Sequence, residues 1–125
     1  MTIKSIIHSS SEPIPAWYTP ITEELLQETA RRIVKAFQPE KIVLFGCYAY
    51  GYPAFQSDLD LLVVMNRHRG KSVFERDRMV ASVARPNGVA MDVLVRTPQE
   101  VAHRLKIGDH FFREVMTKGR ILYEL

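Results

Sequence analysis

Between Lys41 and Met65 the chain reads KIVLFGCYAYGYPAFQSDLDLLVVM: an apolar run, a glycine turn, a loop, and two aspartates opening a second apolar run. Runs of this length and composition fold as buried strands, yet carboxylates stand where the second run should be burying hydrocarbon. Asp58 and Asp60 lie two residues apart, so on an extended backbone both side chains leave the same face, about 7 Å apart along the strand. Asp92 is embedded in the same way in AMDVLVR. Burying an unpaired carboxylate costs on the order of several kcal/mol unless a cation compensates it, so three acids in such settings point to a metal. The competing reading makes Asp58 and Asp60 a solvated pair at a strand mouth and gives Asp92 an ion pair with a neighbour such as Arg96.

The rest of the chain reads as one α+β domain, a small mixed sheet packed against helices. Residues 1–21, with a serine run and three prolines, form an N-terminal extension, anchored by Trp17 and Tyr18, and residues 22–125 form the domain. Thr22 caps a helix whose stripe is Leu25, Leu26, Ala30, Ile33, Val34 and Phe37, with Pro39 beyond its end. Strands are expected over 42–45, 59–65 and 89–95, and a last short strand at the closing ILYEL. A helix is expected over 71–84 with Val73, Phe74, Val80, Ala81 and Ala84 inward. Thr97-Pro98-Gln99-Glu100 is a capping box with proline at the first helical position, and Asp109 caps a further helix that Gly119 ends.

A strand that ends in Gly46 and runs straight into a helical turn presents backbone N–H groups to an anion. Phosphate beside metal ligands means a nucleotide. Here the chain resembles the minimal nucleotidyltransferases of the DNA polymerase beta superfamily, whose pattern is Gly-Ser, ten residues, then Asp-x-Asp, with a third carboxylate on a later strand. Gly46-Cys47, ten residues, and Asp58-Leu59-Asp60 match that spacing. LFGCYAYG, SDLDLLVV and MDVLV follow the family's three segments, and GRILYEL is similar to its usual ending. The resemblance covers residues 41–95. It departs at Cys47, where the family has serine, and at Tyr50, where many members have arginine. A thiol is a weak donor, although backbone N–H contacts to phosphate survive the exchange.

The resemblance implies a polymerase-beta-like fold and transfer of a nucleotide, AMP, from ATP or another nucleoside triphosphate to a hydroxyl. Asp58, Asp60 and Asp92 would be the catalytic and metal-holding residues for two magnesium ions, with manganese as a substitute. Gly46 and Cys47 would bind the outer phosphates. Stand-alone members of this size resemble the antitoxin of a toxin–antitoxin pair, whose partner is a helical HEPN ribonuclease. A homo-oligomer and a nucleic-acid acceptor stay open, and the alternative function is a binding module that neutralises such a partner by contact alone.

Other features are secondary. Gly70-Lys71-Ser72 lacks the upstream glycine of a P-loop. Arg67, Arg69 and Lys71 either lean toward a triphosphate or form a solvated basic loop. Tyr48, Tyr50, Tyr52 and Phe55 either wall a base or belong to the core. Seventeen Lys and Arg against fourteen Asp and Glu give +3, which fits phosphate-bearing ligands without requiring them. A single cysteine, the lack of a signal-peptide pattern and the lack of a membrane-length apolar run point to the cytoplasm.

Overall fold

Alternation of apolar residues decides which faces of the sheet are covered, and both are. The computed structural model describes residues 19–51, 58–66 and 70–125. In chain order these form α1 (Glu23–Phe37), β1 (Lys41–Phe45), α2 (Cys47–Tyr50), β2 (Leu59–Val64), α3 (Val73–Ala84), β3 (Met91–Arg96), α4 (Pro98–Lys106), α5 (His110–Lys118) and β4 (Arg120–Glu124). The sheet order is β3-β2-β1-β4. β1 is antiparallel to β2 and β4, whereas β2 and β3 run parallel. A parallel pair needs a crossover, which α3 supplies. The fold is the expected mixed α and β architecture.

One face of the sheet carries Ile42, Leu44, Leu59, Leu61, Val63, Val93 and Val95 against Leu26 and Ile33 of α1 and Val80 of α3. The other carries Val43, Phe45, Leu62 and Val64 against Val101 of α4 and Phe112 and Val115 of α5. Local signals set the helix ends. The Thr22 hydroxyl accepts from Leu25 N–H at 3.1 Å, and Thr97 and Glu100 close the expected capping box. A second capping box, Ser72 with Glu75, starts α3 at Val73 rather than at Lys71. Val89 is held in a turn by a bond to the Pro86 carbonyl, so β3 begins at Met91.

The inward face of α3 departs from expectation. Phe74 is 77% exposed and Arg76 only 5%. The buried stripe is Arg76, Val80 and Ala84, at four-residue spacing, which turns Phe74 outward. Arg76 tolerates burial because its guanidinium donates to both Glu100 oxygens, at 2.9 and 3.1 Å. Beside it, Asp77 accepts the Val95 amide at 2.7 Å and pairs with Arg96 at 3.2 Å.

Of the expected extension, residues 19–21 are described and are seated on the domain. Ile21 is buried, and the Thr19 hydroxyl donates to the Asn87 carbonyl at 2.9 Å. Trp17 and Tyr18 lie outside the described residues. Among the described residues no helix is long and apolar enough to cross a membrane.

Candidate active site

The register of the sheet brings the acids together. Asp60 lies opposite Phe45 of β1 on one side and opposite Asp92 of β3 on the other, and adjacent strands stand about 4.8 Å apart. Alternation along β2 and β3 puts Asp60 with Leu62, and Asp92 with Leu94, on the face that α4 and α5 cover. Asp58 precedes β2 rather than lying in it. Burial is uneven: Asp58 and Asp92 are exposed, and Asp60 is half-buried. The expectation of three acids embedded in hydrocarbon therefore holds for Asp60 alone, because the sheet ends there and its neighbours face open solvent.

The three form one electrostatic group. Burial pushes the Asp60 carboxyl up to about 6, and the charges of Asp92 and Asp58 push in the same direction. Arg96, the suggested partner for Asp92, pairs with Asp77 instead. It stands four residues further along β3, about 13 Å away.

Gly46 closes the site from the β1 side. It adopts φ 76°, and a Cβ placed there would collide with Oδ2 of Asp60. Glycine thus lets the backbone turn sharply and lie directly against the carboxylate. The turn opens α2, where Ala49 and Tyr50 N–H groups both donate to the Gly46 carbonyl at 3.0 Å. Cys47 is exposed at the first position of α2, beside this turn. Tyr48 is buried in the core, as one of the two readings had it. Tyr50 packs partly into the second core cluster. Its hydroxyl is pushed up first by burial, then by Glu114 and by Asp60, against a backbone hydrogen bond at Gly46. Tyr52 and Phe55 lie outside the described residues.

Lys71 is not at this site. β2 carries the chain away from Asp60, and Lys71 follows its far end, so the solvated-loop reading holds for it. Arg67 and Arg69 lie outside the described residues. An apolar groove between α4, α5 and the sheet, lined by Val64, Pro98, Val101, Leu105, Met116 and Leu125, also sits at that far end, away from the carboxylates. Sequence reasoning missed the contribution of α5, whose Phe111 ring meets Phe45 edge-on at 5.4 Å. The Asp109 cap and Gly119 placed the helix but not the end of the sheet it would reach.

Among the described residues, no three His, Cys, Asp or Glu side chains enclose a point that could hold a metal ion. The donor chemistry nonetheless suits a hard divalent cation. Carboxylate oxygens are the preferred ligands of magnesium and manganese, and the mutual repulsion felt at Asp60 is what such a cation would relieve.

The sequence matches the nucleotidyltransferase domain family over residues 26–122. The chain belongs to that family. The match takes in the Gly46 turn and all three aspartates. A solved structure from Sulfolobus solfataricus, provisionally described as a nucleotidyltransferase, is similar at 24% identity and a TM-score of 0.57, covering 81% of this chain and 78% of that one. This likeness extends to the fold. No curated protein shows significant similarity to the chain. Family membership supports nucleotidyl transfer by this nucleotidyltransferase domain and a polymerase-beta-like fold.

Proposed function

We propose that this nucleotidyltransferase moves a nucleoside monophosphate, AMP, from a triphosphate to a hydroxyl on a partner protein, as the antitoxin of a pair with a helical HEPN-type toxin. The observation that carries the transfer reading is the register of Asp60 with Asp92, with the Gly46 turn pressed against Asp60, inside a chain of this family. The pairing with a toxin rests on the resemblance to the minimal nucleotidyltransferases.

Asp58, Asp60 and Asp92 would hold magnesium or manganese through their oxygens. When bound, the metal supplies charge stabilisation for the phosphates and acidifies the attacking hydroxyl. Asp60 must be ionised to serve, and a nearby cation favours that form by offsetting Asp58 and Asp92. The Gly46 turn offers backbone to the outer phosphates, with no side chain in the way, and the Cys47 thiol adds a weak donor at most. In the reaction the acceptor hydroxyl gives its proton to solvent, its oxygen bonds the α-phosphorus, and the bond from the α-phosphorus to the α,β-bridging oxygen breaks, so that the bridging oxygen leaves with pyrophosphate.

Cys47 in the serine position favours a second reading, a binding module that neutralises its partner by contact alone. Incubating the protein and the product of the adjacent reading frame with magnesium and ATP separates the two readings. Intact-mass spectrometry should show one or more nucleotides added to the partner, lost with Asp60→Asn. A partner left unmodified by all four triphosphates, yet still neutralised by the Asp60→Asn protein, would establish the binding module.

A further inference from the structure

Two large apolar side chains stand open at the corner between α4 and α5. Ile107, 57% exposed, is the C-cap of α4, and Phe111, 44% exposed, lies in the first turn of α5. The corner is a fixed turn, closed by Gly108 N–H to the Leu105 carbonyl at 3.1 Å and Asp109 N–H to the Arg104 carbonyl at 2.9 Å. Phe111 is also held by an edge-on contact with Phe112 at 5.3 Å. Exposed apolar groups on a rigid platform, rimmed by charge, mark an interaction surface.

The rim is basic. Over residues 103–118, Arg104, Lys106, Arg113 and Lys118 outnumber the carboxylates Asp109 and Glu114, Glu114 is paired with Lys118 at 3.5 Å, and His103 and His110 are exposed beside them. Asp109 is committed: it accepts from Phe112 N–H at 3.1 Å and lies 3.7 Å from Arg104. Among the described residues, Lys106 and Arg113 form no salt bridge. The corner also adjoins the chemistry, because Phe111 contacts Phe45, the strand partner of Asp60.

We propose that this corner docks the acceptor, and that the acceptor is a protein whose docking face has an apolar centre and an acidic rim. The inference rests on the nucleotidyl-transfer reading for its consequence, since a protein seated here brings its hydroxyl to the carboxylate end of the sheet. Charge complementarity selects the partner. A second copy would set two basic rims against each other. A nucleic acid would use the cations and the Phe111 ring but gains nothing from an aliphatic Ile107.

The test uses a labelled amphipathic helical peptide with a leucine and phenylalanine face flanked by glutamates, followed by fluorescence anisotropy. The peptide should bind the intact protein, its lysine-flanked counterpart should not, and Ile107→Glu/Arg113→Glu should weaken binding by about tenfold or more. Calorimetry with Mn²⁺ and triphosphate, run separately, should be the same for parent and double variant. A parent that binds triphosphate but not the peptide overturns the docking surface. One that binds the peptide but no triphosphate keeps the surface and sinks the transfer reading. Tighter binding of a single-stranded RNA, abolished by the same double variant, overturns the protein assignment, as does a dimer in sedimentation that the variant dissolves.

Discussion

Gly46 holds φ 76° and ψ −156°, a conformation open to glycine and strained for any other residue. It also lies where an added methyl would strike the Asp60 carboxylate. These penalties are independent, so Gly46→Ala should destabilise the protein by roughly 2 to 4 kcal/mol, from backbone strain and overpacking together. Urea unfolding measures it, and a loss below about 0.5 kcal/mol would mean that the turn relaxes freely. The sequence flagged Gly46 as a turn that frees backbone N–H groups. Its closeness to Asp60 was not legible, because it depends on β1 and β2 pairing in one particular register, which no local pattern specifies.

At the level of elements, α3 and α4 are clamped by Arg76 and Glu100. The Arg76 side chain is almost wholly buried, whereas Glu100 retains two-fifths of its exposure. Removing Glu100 leaves a buried guanidinium unpaired, which costs about 3 to 5 kcal/mol in a fully buried pair. Solvent at Glu100 discounts this, so Glu100→Ala should cost about 2 kcal/mol, including the lost cap at Thr97. A chemical-denaturation midpoint unchanged from the parent would show that the clamp is ornamental. Helix starts were readable at Thr22, Thr97 and Asp109 because capping is a local, three-residue interaction. The inner face of α3 was not, since periodicity counts an arginine as surface. Only a carboxylate 24 residues away makes its burial tolerable.

For the molecule as a whole, two carboxyls with opposite shifts govern stability against pH. The Asp60 carboxyl is raised from 3.8 to about 6, so the native state holds its proton more tightly than the unfolded chain does. Stability from this group therefore grows as pH falls from about 6 toward 3.8 and is absent at neutral pH. Glu100 is lowered from 4.5 to about 2, first by its hydrogen bonds from Arg76. Its contribution is complete above 4.5 and drains away as pH falls toward 2. In chelator-treated protein, Tm should thus peak at about pH 4 to 5, and Asp60→Asn should raise Tm at pH 7 while flattening the rise below pH 6. Superimposed Tm profiles for parent and variant in scanning fluorimetry would contradict this. That Asp92 would meet Asp60 was expected from their like settings and from the family resemblance, and the register of the sheet pairs them. Their true setting was not legible, because the parallel pairing of β2 with β3 is a property of the assembled sheet.

The outer edge of β3 has one further consequence. A strand at the rim of a sheet offers its amides to any passing extended segment, which is how sheets grow from one molecule into the next. Here the Val95 amide is already taken by the Asp77 carboxylate, itself tethered to Arg96. A foreign strand that pairs at Val95 must first evict Asp77, which blunts that end of the β3 rim against strand addition.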